Sequence, residues 1–92
     1  MNVSIHIPLA LRPDCGGSQD LVVSASTVRA ALEQLKQKYP SIHRSVCDET
    51  GAVRRHINLF VNSSLLVRGP EGLGKVLEPG DSLAIMTAVS GG

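Results

Sequence analysis

Ninety-two residues supply chain for one domain and no second core. Nine Lys/Arg against eight Asp/Glu leave a formal charge of +1 with no dense basic run, which argues against a nucleic-acid binder. Apolar residues at 42% suit a packed domain rather than a disordered tail, and Tyr39 and Phe60 are too few aromatics for a base-stacking platform or an aromatic cage.

Met1 to Leu11 is apolar, but it lacks a basic leader, His6 and Pro8 interrupt it, and no small-x-small cleavage site follows. It is therefore read as part of the fold and not as a signal peptide. No other run approaches the roughly 18 apolar residues of a membrane span. Cys15 and Cys47 are two separated thiols outside any C-x-x-C spacing, fewer than a small disulfide-built secreted domain uses. A soluble, cytoplasmic protein with no membrane partner is expected.

Val3, Ile5, Ile7 and Leu9 alternate with Ser4 and His6, the period of a half-buried strand. Pro13, Asp14, Gly16 and Gly17 mark a long turn, and Asp20 to Ser24 reads as a second strand, antiparallel to the first. Ser26 or Thr27 can cap the helix that follows, in which Val28, Ala31, Leu32, Leu35 and Tyr39 share one face. Lys36 and Lys38 fall in its last turns, and Pro40 stops it. Ser41 to Val46 is expected to add no more than a short turn, before a loop at Asp48 to Gly51.

Arg55 to Val61 reads as a strand with Ile57, Leu59 and Val61 inward and His56, Asn58 and Phe60 outward. A turn at Asn62 to Ser64 leads to a brief strand at Leu65 to Arg68, then a loop over Gly69 to Gly74. The last strand, Ser82 to Val89, places Leu83, Ile85 and Val89 inward and Ala84, Met86 and Ala88 outward. One amphipathic helix can cover only one face of a single mixed sheet. The bare face then carries His6, His56, Asn58, Phe60 and Met86.

Gly69 to Lys75 nearly spells a phosphate-binding loop, but Val76 stands where a magnesium-holding hydroxyl belongs, and Pro79-Gly80 cuts off the supporting helix. It reads as a glycine-rich surface loop. His6, His43, His56, Cys15 and Cys47 lack the paired spacing of zinc ligands, so no metal is expected; they read as surface histidines and small loop thiols. Phe60 and Met86 on adjoining strands would form an apolar patch, with Asn58 beside it, and such patches mark partner interfaces.

Gly91-Gly92 closes the sequence, a pair expected by chance about 0.5% of the time, which directs attention to the terminal carboxylate as a reactive group. Glycines let such a tail extend and thread a narrow channel in another enzyme. A carboxylate becomes electrophilic once activated, typically as an acyl-adenylate, and then accepts sulfur or forms an ester or amide.

The chain resembles the ubiquitin-like β-grasp sulfur carriers of the ThiS/MoaD family. The likeness is densest in Thr27-Val28, Ala31-Leu32, Leu35 and Tyr39-Pro40, in Ile57 to Asn62, and in Leu77 to Leu83 through Ala88 to Gly92. Leu11 to Gly17 and Arg54-Arg55-His56 most resemble the CysO-type carriers of cysteine biosynthesis.

The resemblance implies an α+β β-grasp domain over residues 1–89, a four- to five-stranded mixed sheet on one main helix. Residues 90–92 would form a flexible reactive tail, with Ser90 and Gly91 threading a partner and Gly92 carrying the adenylate and then the thiocarboxylate. Because the chain ends at Gly92, no trimming would precede activation. The implied partners are a ubiquitin-activating-like adenylyltransferase and sulfurtransferase that consumes ATP, a sulfur-accepting synthase of cysteine-synthase type, and a metal-dependent peptidase. The carrier itself would bind no cofactor and would be a protein cosubstrate rather than an enzyme. Alternatives are a modifier conjugated through Gly92 to lysines, a carrier for molybdopterin or thiamin synthesis, and a structural subunit with a silent tail.

Overall fold

Alternation makes Asn2–His6 the first strand, β1, with Val3 and Ile5 sealed from solvent and Ser4 and His6 on the other face. In this computed structural model, which describes residues 2–87, β1 pairs antiparallel with β2 (Asp20–Ser24). Val3 lies opposite Val23 and Ile5 opposite Leu21, so both strands bury the same face. Their connection winds into a 3-10 helix over Leu9–Cys15, ended by Gly16 at φ +72, a left-handed position that glycine enters without a Cβ penalty.

Thr27 Oγ1 accepts the Ala30 N–H at 3.1 Å and starts α1 (Val28–Lys38). Val28, Ala31, Leu32 and Leu35 are buried, as their spacing predicts. Pro40 ends this helix and also begins another, α2 (Pro40–Val46), where the sequence suggested only a turn. Proline at the first helical position loses no hydrogen bond, because that N–H has no partner inside a helix anyway. The interior side of α2 contributes Ile42, His43 and Val46 to the core.

β3 is Ile57–Val61, β4 Ser64–Leu65 and β5 Ser82–Thr87, giving one sheet in the order β2-β1-β5-β3-β4. β5 lies in the centre, parallel to β1 and antiparallel to β3. The core between sheet and helices is aliphatic, with Ile5, Ile7, Leu35, Ile42, Leu77, Leu83 and Ile85 fully buried. This is the expected mixed β-grasp arrangement of α+β class. The inward position expected for Val89 and the outward one for Ala88 lie outside the described residues, as does the tail Ser90 to Gly92.

Further expectations need correction: Leu9, expected to continue the alternation of the first strand, lies in the 3-10 helix and is 74% exposed. β3 starts at Ile57 rather than Arg55, because the Ile57 N–H closes a turn onto the Arg54 carbonyl at 3.0 Å; His56 therefore sits exposed in that turn and not on the sheet. The strand expected through Arg68 stops at Leu65. Part of the loop over Gly69 to Gly74 is a single helical turn, α3 (Pro70–Leu73). A Cβ on Gly72 would lie 1.7 Å from the Val67 carbonyl oxygen, so close backbone packing accounts for that glycine without any phosphate.

Candidate functional site

The sheet face turned away from the helices is assembled by register. Phe60 stands opposite Ala84 of β5 on one side and Leu65 of β4 on the other, and His6 faces Ala84 from β1. Met86 lies opposite Asn58, one diagonal step from Phe60, within reach of a ring and a thioether. Phe60 is half-buried, whereas Met86 and Leu65 are 46% and 62% exposed. The structure thus brings Phe60, Met86 and Asn58 together on one face, with Leu65 extending the apolar patch.

In the sequence Leu65 reads only as the start of a brief strand and not as part of the patch, although the Asn62-Ser63 turn before it offered a signal. Asn62 and Ser63 both have positive φ, the mark of a two-residue hairpin turn. Counting outward from that turn pairs Phe60 with Leu65 and puts both side chains on one face. Val22, 64% exposed on β2, occupies the same outer face as Ser4 opposite it.

Polar groups frame the patch. His6 Nδ1 lies 3.1 Å from Asp20 Oδ1 across β1 and β2. Asn58 Oδ1 accepts from Arg68 Nη2 at 3.2 Å, and the same guanidinium donates to the carbonyls of Arg54, Arg55 and Ile57. Asn58 is therefore held in position by the protein itself. Asn62 Nδ2 donates to Asp81 Oδ1 at 2.9 Å, while Asn62 Oδ1 accepts the Ser82 N–H at 3.0 Å, tying the hairpin turn to the start of β5. The Glu78 N–H, and then the Asn62 amide, hold the Asp81 carboxyl below its usual range.

His43, read as a surface histidine, is only 9% exposed on the inner side of α2, and the thiol of Cys47, at that helix's C-terminal cap, is 2% exposed. Burial, and then the nearby Asp48 carboxylate, push the Cys47 thiol up to about 11, so it stays protonated near neutrality. Cys15 is also buried, with Sγ 3.4 Å from the Arg12 and Ser18 carbonyl oxygens. Among the described residues no group of three or more His, Cys, Asp or Glu could hold a metal ion, and no helix is long and apolar enough to cross a membrane.

Gly92, Gly91 and Ser90 lie outside the described residues. What is described is the strand that leads to them: Thr87, the last residue of β5, pairs with Ile57, next to the Asn58–Met86 pair. β5 thus reaches Thr87 beside the apolar patch.

Residues 11–92 match the sequence model of the ThiS family. The chain is 36% identical over 94 residues to the sulfur carrier protein CysO of Mycobacterium tuberculosis, spanning 100% of both chains. The crystal structure of Mycobacterium tuberculosis CysO matches with a TM-score of 0.82 at 34% identity, covering 95% of this chain and 99% of that one. A chain of the Amycolatopsis orientalis BexX/CysO complex matches at TM-score 0.82 and 27% identity, over 98% of this chain and 99% of its own. SAMP1 from Haloferax volcanii has the same TM-score and identity, with 100% of each chain covered.

Proposed function

This chain belongs to the ThiS family, and from that membership we infer that it is a sulfur carrier, a protein cosubstrate rather than a catalyst. The full-length correspondence to CysO in both sequence and fold carries this reading. The carrier group is the Gly92 carboxylate. A partner adenylyltransferase uses ATP to convert it to an acyl-adenylate, with pyrophosphate leaving. Sulfide then attacks the acyl carbon and AMP leaves, so that one oxygen is replaced by sulfur.

The thiocarboxylate sulfur is the nucleophile delivered to a sulfur-accepting synthase. In a cysteine-forming route the sulfur displaces the leaving group from the β-carbon of an activated serine, and the resulting thioester passes by S-to-N acyl shift to an amide. A metal-dependent peptidase adds water across that amide to release cysteine and restore the Gly-Gly carboxylate. Glycines at 91 and 92 and a small Ser90 present no bulk to a partner's channel. Phe60, Met86 and Asn58 form the docking face for the activating enzyme, and Leu65 extends it. These reactions use cytoplasmic ATP and sulfide.

Intact mass spectrometry after incubation with ATP, the activating enzyme and sulfide tests the reading. A mass gain of one oxygen replaced by sulfur, trapped by alkylation and missing from a Gly92-deleted control, supports the carrier. An unmodified C-terminus in the presence of a demonstrably active enzyme rejects it. The match to SAMP1, called a small archaeal modifier protein, favours a second reading in which activated Gly92 forms isopeptide bonds. Lysine conjugates recovered from cells would identify that role.

A further inference from the structure

Asn58 stands at a seam between two surfaces. On β3 it pairs with Met86 within the outer-face patch, and it also lines a surface cleft of about 470 Å³. The cleft lies beside the part of β3 that the two-residue β4 leaves uncovered. Val53, Leu59, Leu66 and Leu73 are its apolar lining. The charged lining is of one sign: Arg29, Arg55 and Arg68 are present, and no Asp or Glu is. The Arg29 and Arg55 guanidiniums have no hydrogen-bond or ion-pair partner among the described residues.

An amide side chain has two unlike ends, and a neighbour decides which way Asn58 turns them. A guanidinium carries donors and no acceptor, so the end of Asn58 that meets Arg68 Nη2 at 3.2 Å is the oxygen, Oδ1. Arg68 is itself fixed, since it also donates to the carbonyls of Arg54, Arg55 and Ile57. Half a turn of the amide would set NH2 against guanidinium, donor against donor. The Nδ2 group is therefore turned from Arg68, and its two hydrogens have no acceptor among the described residues. Asn58 is only half-buried, so these donors are offered to solvent or to a partner from a fixed position.

We propose that Asn58 is a specificity-determining donor of the docking face, that the group it receives is a carboxylate of the activating enzyme, and that Arg68 is its positioning residue. Charge selects a carboxylate over a neutral carbonyl: cations line the adjoining cleft without a compensating acid, and two of them are unpaired. A carboxylate accepts through both oxygens and gains from that positive field, whereas a cationic group from a wrong partner meets donors and like charge. The inference rests on the docking reading of Phe60, Met86 and Asn58 and adds the chemistry of the group they admit.

The experiment follows adenylation of the full chain by the activating enzyme through ATP–pyrophosphate exchange, as kcat and as KM for the carrier. Asn58→Asp has nearly the same shape and still accepts from Arg68. It should keep the thermal midpoint and the amide shifts of Val3 and Ile85, yet raise KM about tenfold or more at unchanged kcat. Asn58→Ala, which loses the donors without adding charge, should raise KM several-fold. Arg68→Lys keeps the charge and loses the planar fork. It should raise KM in the wild type and no further in Asn58→Ala, the non-additivity of a residue that acts through another.

Wild-type KM in Asn58→Asp overturns the proposal. So does impairment of Asn58→Ala alone, which would make the partner's group a donor. Additive effects of Arg68→Lys and Asn58→Ala overturn the positioning role. Phe60→Asp separates this inference from the reading beneath it. If that variant raises KM and the Asn58 variants do not, the inference alone fails; if none of them raises KM, the docking reading falls and the inference with it.

Discussion

Phe60 shows how one ring can serve a surface without serving the core. Its neighbours Leu59 and Val61 fill the interior, while the ring lies between Ala84 and Leu65 on the opposite face. Phe60→Asp should weaken binding to the activating enzyme about tenfold or more, as removal of a central aromatic anchor does, and leave the circular dichroism spectrum unchanged. Unaltered affinity would remove the patch from the interface. Leu35→Asp or Ile57→Asp should instead unfold the chain, because each puts an unpaired carboxylate where the native side chain is at most 1% exposed. Loss of the cooperative thermal transition is the readout.

His43 sets a separate pH dependence. Burial, and then the Lys36 charge, lower its pKa from the ordinary 6.5, with Glu33 acting in the opposite direction. The folded chain thus binds this proton less readily than the unfolded one. Its contribution is intact above the ordinary value and is lost as the pH falls from there toward the depressed folded value. The urea midpoint should fall between about pH 7 and about pH 5.5, and fall less in His43→Leu, which has no proton to gain at that site. Asp48 and Asp81, both held below the usual carboxylate range by hydrogen bonds, add a loss at still lower pH.

At the scale of elements, legibility followed periodicity. β1, β2 and α1 were readable because their apolar positions repeat at two or at three and four residues, and Thr27 marks the helix start. α2 was concealed by Pro40, which stops one helix and opens the next with the same fixed φ. The requirement for glycine at 72 is tertiary, set by the Val67 carbonyl, and no local pattern contains it. His56 was misplaced because the turn that ends at Ile57 depends on hydrogen bonds rather than on composition.

Two element-scale tests follow from the β3–β4 region. Ser63 occupies φ +76 in the hairpin turn, where glycine carries no steric cost, so Ser63→Gly should raise stability by about 0.5 kcal/mol in a denaturant titration. Arg68 fastens the entry to β3 through the carbonyls of Arg54, Arg55 and Ile57. Arg68→Ala should cost about 1–3 kcal/mol and speed amide exchange in residues 54–58 ahead of β1.

Over the whole molecule, strand order was the part least visible in the sequence, because adjacency depends on which edges meet after the helices have packed. Alternation could tell that Leu83 and Ile85 face inward, but not that β5 lies between β1 and β3. Likewise the patch was legible from alternation in two strands taken to adjoin, with Phe60 on one and Met86 on the other, whereas the cleft lined by Arg29, Val53, Leu59 and Leu73 joins separate parts of the chain and has no local signature.

The central position of β5 also sets how the molecule bears load. Its register holds Ser82 to Ala84 against β1 on one flank and Leu83 to Thr87 against β3 on the other. A pull on the residues after Thr87, directed along the strand axis, loads both rows of hydrogen bonds in shear at once instead of peeling them singly from an edge. A partner that pulled on the C-terminal segment along that axis would therefore load β5 against both neighbours together.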